Sequence, residues 1–154
     1  MQPPAGIEGV LGLHHIAFAV ADLDASVEYW TRMVGARIEL RAVVEDQGVE
    51  AASLEWPAAA GGPMGFAHGT LLELIAPHCQ ESGIARFLER RGEGMHHVAW
   101  AVESVADALD DLARAGAKLI DTHARIGLHG TPVAFVHPSA SGGVLVELVE
   151  VPGG

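Results

Sequence analysis

The chain has one cysteine, Cys79, and few positively charged residues. It contains nine Lys and Arg and twenty Asp and Glu, which gives a formal net charge of −11 at pH 7. A single cysteine excludes a disulfide within the chain. An acidic chain with scattered cations repels nucleic acid and anionic membranes, and no stretch approaches the roughly 20 consecutive apolar residues of a membrane span. We therefore expect a soluble globular protein that binds neither nucleic acid nor a membrane.

The length of 154 residues favours a single domain, because domains average about 150 residues. Positions 1–13 contain no Lys or Arg ahead of an apolar region, which is not the form of a secretory signal. Together with the lone cysteine, this predicts a cytoplasmic protein.

Two segments rich in histidine repeat each other. Residues 14–20 read His-His-Ile-Ala-Phe-Ala-Val, and residues 96–102 read His-His-Val-Ala-Trp-Ala-Val. Each copy leads into an amphipathic helix, one over about residues 22–34 that ends at Gly35 and one that starts at Ser104 and ends at Gly116. Extended segments follow each helix, at 37–44, 49–56 and 70–76 and again at 118–121, 131–137 and 144–150.

The repeat therefore predicts an α+β fold, built from two paired βαβββ modules that form a curved mixed sheet. We place one domain over residues 13–150. Module one covers about 13–77, a linker with a short helix covers 78–94, and module two covers about 95–150. The Ala/Gly/Pro-rich run at 57–65 is predicted to be a mobile loop.

The second histidine of each copy lies on a face with small neighbours. Alternate residues of a strand share a face, so His15 and His97 each lie beside the alanines two and four positions later. His14 and His96 lie on the opposite, bulky face, which suits the following helix. Small residues around an imidazole indicate a cavity.

The last strand of each module carries one carboxylate, Glu73 or Glu147, in the middle of an apolar run. A buried carboxylate must be paired, protonated or bound to a metal. Taken singly, such residues are more often packed in the core or pointed to solvent, but here the pattern recurs at related positions. His15, Glu73, His97 and Glu147 supply the nitrogen and oxygen ligands of a divalent transition metal, with coordination positions left open.

Several longer motifs carry a resemblance to a known family. They are Gln-Gly-Val at 47–49, residues 90–97, residues 125–130, His-Pro at 137–138 and residues 142–148. With these, the chain resembles the methylmalonyl-CoA epimerase family of the vicinal oxygen chelate (glyoxalase/bleomycin resistance/dioxygenase) superfamily, from about residue 13 to 150. The resemblance implies paired βαβββ modules around one divalent metal, and it assigns the ligands to His15, Glu73, His97 and Glu147.

The implied reaction interconverts the 2R and 2S forms of methylmalonyl-CoA by removing and returning the C2 proton through a metal-stabilised enolate. Glu147 is the candidate base for one face. For the other face, some relatives have a Glu where this chain has Ala51, and the nearest carboxylate is Glu50, one residue earlier. A bulge that turns Glu50 inward, Glu45, or a metal-bound water are the alternatives.

The resemblance also implies an acyl-CoA substrate and a homodimer. Substrate contacts are assigned to Gln47, Ser139, Gly142 and Gly143, although Ser139 begins a turn where the family commonly has Lys. The two glycines offer backbone N–H groups to an anion or form an ordinary turn. The His and carboxylate ligands suit Co, Ni, Mn or Zn.

Three other functions remain open at this point. The first is a glyoxalase-like lyase that acts on a glutathione hemithioacetal. The second is a ring-cleaving dioxygenase, which the fourth ligand disfavours. The third is a metal-free protein that sequesters small drugs.

Overall fold

The structure, a computed structural model, describes residues 6–56 and 70–152, so the predicted loop at 57–65 lies outside the described residues. The described residues form eight strands and three helices, with short 3₁₀ turns at Glu45–Gln47 and Pro138–Ala140. In chain order they are β1 Val10–Ala19, α1 Leu23–Val34, β2 Arg37–Val44, β3 Val49–Glu55, β4 Leu71–Pro77, α2 Gly83–Arg91, β5 Gly94–Val102, α3 Val105–Arg114, β6 Arg125–Ile126, β7 Pro132–Val136 and β8 Val146–Glu150.

The chain divides into two compact units inside β1 and β5. One unit is His15–His96, and the other combines the described residues up to His14 with those from His97 onward. The strand order is β2-β3-β4-β1 in the first half and β5-β8-β7-β6 in the second. In each half the first strand pairs in parallel with the last strand, and the remaining pairs are antiparallel. The predicted α+β class and the two βαβββ modules are confirmed.

Helix α1 starts and ends at the predicted residues. The Asp22 carboxylate caps the start by accepting from the Ala25 N–H at 3.0 Å, and Gly35 ends the helix in the left-handed conformation, with φ 69°. Its apolar face packs on one side of the first-half sheet, in a cluster of Val20, Leu23, Ala36, Ala52, Leu54, Leu72, Leu74 and Ala76. Val34, in the last turn, is 41% exposed and lies outside this cluster.

Helix α3 repeats this plan in the second half. The Ser104 hydroxyl accepts from the Asp107 N–H at 3.2 Å, as the capping pattern predicted. Val105 and Leu109 are buried against Val102, Ala134 and Leu148, and Leu112 packs at the edge of this cluster. Each helix therefore covers the bulky face of its strands, which leaves the histidine face for other contacts.

The predicted strand at 118–121 does not form, because Asp121 turns the chain. The N–H groups of Ile120 and Asp121 both donate to the Phe135 carbonyl at 3.1 Å, so the chain leaves the ladder after an isolated bridge between Leu119 and Val136. The Asp121 carboxylate then accepts the Phe135 N–H at 2.8 Å. The edge strand of this half is the short β6 instead.

Among the helices of the described residues, none has the length and apolar character needed to cross a bilayer.

Candidate metal centre

The first-half sheet brings His15 and Glu73 together. Parallel pairing of β1 and β4 sets Ala17 opposite Glu73, so His15 lies two residues before the paired position on the same face. His15 Nε2 and Glu73 Oε2 are 3.4 Å apart. Both side chains are buried, with 2% and 7% of each residue exposed.

The second half contains the equivalent pair, His97 and Glu147. Ala99 lies opposite Glu147 in the parallel pairing of β5 and β8, which is the same offset from the histidine as in the first half. His97 Nε2 and Glu147 Oε2 are 3.1 Å apart, and both residues are buried. The repeat in the sequence is therefore a repeat of side-chain geometry, with one buried His–Glu pair in each module.

The donor atoms of each pair suit a divalent metal ion. Two ligands bonded to one ion at about 2.0–2.2 Å lie about 3 Å apart, and the nitrogen–oxygen separations are 3.4 Å and 3.1 Å. Imidazole nitrogen and carboxylate oxygen are ligands that transition metals accept. A buried carboxylate also needs a compensating charge. Each half thus offers one nitrogen and one oxygen ligand.

Glu50 lies on the wrong face of β3 for the catalytic role predicted for it. The β3–β4 register runs unbroken from Val49 to Leu54 and pairs Ser53 with Glu73. Since side chains alternate, Ala51 and Ser53 share the face of Glu73, whereas Glu50 shares the face that packs against α1. No bulge interrupts this described pairing, so Glu50 does not share the face of Glu73, as its predicted catalytic role required.

The Glu50 carboxylate is instead part of an ion-pair network. Arg41 Nε donates to it at 2.9 Å, and Arg41 Nη1 donates to Asp24 of α1 at 2.6 Å. The hydrogen bond to Glu50, and then that to Asp24, raises the pKa of Arg41 above its ordinary value. This network ties α1 to the sheet. Glu45, the other candidate base, is exposed in the turn between β2 and β3.

The predicted substrate-binding residues lie in loops. Gln47 ends the turn before β3, and Ser53, the partner of Glu73, lies four residues beyond the start of that strand at Val49. At about 3.3 Å per residue, Val49 and Ser53 are about 13 Å apart along the strand. The structure therefore does not bring Gln47 beside Glu73.

Ser139, Gly142 and Gly143 lie in the loop that joins β7 to β8, the strand of Glu147. His137 Nδ1 accepts the Ser139 N–H at 3.1 Å and lies 2.8 Å from the Ser139 Oγ. The Gly143 N–H donates to the Pro138 carbonyl at 2.8 Å. An anion contact by that N–H would therefore require the turn to open. The substrate-binding role of this loop stays a prediction.

Two features beside the pairs were missed by sequence reasoning. Phe135 lies opposite Glu147 in the β7–β8 register and meets the His97 ring edge to face, with centroids 5.3 Å apart. The Arg125 guanidinium lies over the Phe135 ring at 5.5 Å and donates to Asp121 at 3.0 Å. Arg125 belongs to a motif singled out in the sequence, but only the pairing of β6 with β7 places it beside Phe135. The second missed feature is Ser53, which lies opposite Glu73 in the β3–β4 register.

Comparisons with known proteins agree on a family. Residues 14–135 match the Glyoxalase/Bleomycin resistance protein/Dioxygenase superfamily. The ethylmalonyl-CoA/methylmalonyl-CoA epimerase of Cereibacter sphaeroides is 36% identical over 141 residues, which covers 90% of this chain and 97% of that protein. The mitochondrial methylmalonyl-CoA epimerase of Bos taurus is 36% identical over 149 residues, with coverage of 96% and 79%.

Solved structures extend this similarity to the whole fold. The crystal structure of methylmalonyl-CoA epimerase from Mycobacterium tuberculosis matches with a TM-score of 0.83 and 33% identity, and the match covers 100% of this chain and 94% of that chain. A variant of the Streptomyces coelicolor methylmalonyl-CoA epimerase in complex with 2-nitronate-propionyl-CoA matches with a TM-score of 0.83 and 30% identity, over 94% and 99% of the two chains. The predicted vicinal oxygen chelate fold is therefore confirmed.

Proposed function

Since the chain belongs to the methylmalonyl-CoA epimerase family of the glyoxalase/bleomycin resistance/dioxygenase superfamily, and is thus an isomerase, we propose that it interconverts the 2R and 2S forms of methylmalonyl-CoA with one divalent metal ion. The observation that carries this proposal is the buried His–Glu pair that recurs at the same register in each module. The Streptomyces coelicolor relative, in complex with an acyl-CoA analogue, supports a coenzyme A thioester as substrate.

In this proposal His15, Glu73, His97 and Glu147 hold the ion, and Co, Ni, Mn and Zn all suit the ligand set. The bound ion supplies Lewis acidity, which lowers the cost of negative charge on the substrate oxygens. The burial of all four side chains excludes water and strengthens every electrostatic interaction around the substrate. The acidity of C2, between a thioester and a carboxylate, is thereby raised enough for a carboxylate base.

Glu147 removes or returns the proton on one face of C2 in this proposal. Glu147 lies on β8 beside His97, and its carboxylate oxygen Oε2 faces His97 Nε2. A general base must lie within hydrogen-bond reach of the proton that it takes, so the proposal requires C2 to bind beside this carboxylate. A cytoplasmic location and a homodimeric assembly stay predictions.

The proposal is tested by incubating a single epimer of methylmalonyl-CoA with the protein in deuterated buffer and following C2 by NMR. We expect deuterium at C2 together with conversion to the other epimer. A parallel reaction with a glutathione hemithioacetal tests the glyoxalase-like alternative. Turnover of the hemithioacetal without epimerisation would replace the proposal by that alternative.

Replacement of Glu50 with Gln is expected to leave the epimerisation rate within about threefold of wild type, because this side chain faces α1. The variant loses an ion pair whose side chains are 34% and 31% exposed. Partly exposed pairs contribute at most about 1 kcal/mol, so urea unfolding is expected to show a loss of that size or less. A hundredfold loss of epimerisation at unchanged stability would return Glu50 to the site.

A further inference from the structure

Ser53, in the middle of β3, carries a buried hydroxyl that makes no hydrogen bond within the described chain. The residue is 0% exposed, and its Oγ has no hydrogen-bond partner among the residues that the structure describes. Most buried polar groups have a partner, because a buried polar group that lacks one raises the free energy of the folded protein. An unpartnered hydroxyl at this depth therefore indicates a hydrogen bond that forms when a ligand binds.

The neighbours of Ser53 in the sheet identify the partner as Glu73. Ser53 lies between Leu40 of β2 and Glu73 of β4 in the strand registers. Leu40 has no polar side-chain atom, and Glu55, the next side chain on this face of β3, pairs with Arg37 at 2.9 Å. Directly opposite residues of antiparallel strands have Cβ atoms about 5 Å apart. Rotation of the two side chains is therefore enough to bring the Ser53 hydroxyl to the Glu73 carboxylate.

We propose that Ser53 is a positioning residue of the metal centre, whose hydroxyl donates to the Glu73 carboxylate when that carboxylate binds the divalent ion. This inference rests on the proposed function and gives a role to a residue outside the four proposed ligands. Carboxylates that bind a metal are themselves held by hydrogen bonds from neighbouring groups. A carboxylate also has enough lone pairs to bind an ion and to accept from a hydroxyl at the same time.

The inference predicts that removal of the Ser53 hydroxyl affects metal binding and not the stability of the metal-stripped chain. The hydroxyl makes no hydrogen bond to a described residue, so its removal breaks none of the contacts that hold the fold. Ser82 is the matched control. It is 5% exposed and equally a serine, but its hydroxyl accepts the Ala85 N–H at 3.0 Å at the start of α2.

The test compares Ser53→Ala with Ser82→Ala in the full chain. Urea unfolding of the chelator-stripped proteins measures stability, and calorimetric titration with cobalt measures affinity. For Ser53→Ala we expect a urea midpoint at or above that of wild type and a cobalt affinity lower by about 10- to 100-fold. For Ser82→Ala we expect a lower midpoint, because a helix cap is lost, and the wild-type affinity. The visible absorption of bound cobalt, which reports the arrangement of its ligands, is expected to change only in Ser53→Ala.

Each outcome decides the inference. Weaker cobalt binding and a changed spectrum in Ser53→Ala, without loss of stability, support it. Cobalt affinity of Ser53→Ala within about threefold of wild type, short of the loss expected for a supporting residue, would overturn it and leave the proposed function intact. A lower urea midpoint of stripped Ser53→Ala would also overturn it, since the hydroxyl would then have a partner without the ion, such as a bound water.

The wild-type protein separates this inference from the proposed function. Absence of cobalt binding by the wild-type protein would reject the proposed metal ion and this inference together. Cobalt binding without epimerisation would reject the proposed reaction, and the two variants would still decide the role of Ser53.

Discussion

Glu147→Gln is expected to lower the rate of methylmalonyl-CoA epimerisation by about 10³-fold or more. The substitution keeps the size of the side chain and an oxygen that can bind a metal, but it removes the proton acceptor. A factor of 10³ corresponds to about 4 kcal/mol in the activation free energy. The measurement is the conversion of a single epimer under saturating substrate, followed by NMR.

The control for this variant is Glu28→Gln, which removes an exposed carboxylate of α1 that pairs with Arg32. It is expected to epimerise at the wild-type rate. A Glu147→Gln protein that is folded, carries metal and epimerises within about threefold of wild type would show that Glu147 only binds the ion.

His97→Ala is expected to weaken the binding of a divalent ion by at least about 100-fold. Loss of a residue that only supports a metal ligand already lowers metal affinity about 10- to 100-fold, and His97 is itself a proposed ligand. The variant also leaves the Glu147 carboxylate buried without its 3.1 Å partner, which destabilises the fold. Calorimetric titration of the metal-free protein with cobalt measures the affinity, and urea unfolding measures the stability.

The adjacent residue provides a matched control for this titration. His96 lies on the opposite face of β5 and meets the ring of Phe87 with centroids 4.9 Å apart. His96→Ala is expected to bind cobalt as the wild type does. Equal losses of affinity in the two variants would mean that the effect comes from damage to β5 rather than from a lost ligand.

The pairing of His15 with Glu73 and of His97 with Glu147 was predictable because two independent features of the sequence agree. Strand alternation selects the second histidine of each copy, and the repeat matches each histidine with one carboxylate in an apolar run. Parallel pairing of the first and last strands then brings each pair together. The starts of α1 and α3 and the end of α1 were predictable for a similar reason, since Asp22, Gly35 and Ser104 act locally on their own helices, whereas α3 ends at Arg114 with Ala115 as its cap instead of the predicted Gly116.

The orientation of Glu50 was not predictable from the sequence, because it depends on whether a bulge lies between Gly48 and Ala51. The β3–β4 register and the hydrogen bonds of Arg41 to both Glu50 and Asp24 fix the orientation of the Glu50 side chain. The failure of the strand at 118–121 has a similar origin. A carboxylate, that of Asp121, accepts the Phe135 N–H that a strand carbonyl would otherwise accept. Ser53 was missed because a single serine in a strand has no distinguishing pattern until its partner across the sheet is known.

The proposed function requires one divalent metal ion per chain, bound by His15, Glu73, His97 and Glu147. It is tested most directly by stripping the protein with a chelator, adding back cobalt in steps, and measuring bound cobalt and epimerisation in the same samples. We expect epimerisation to be absent from the stripped protein and to rise in proportion to bound cobalt until one ion is bound per chain. Full epimerisation by the metal-free chain, or two ions bound per chain with equal affinity, would contradict it.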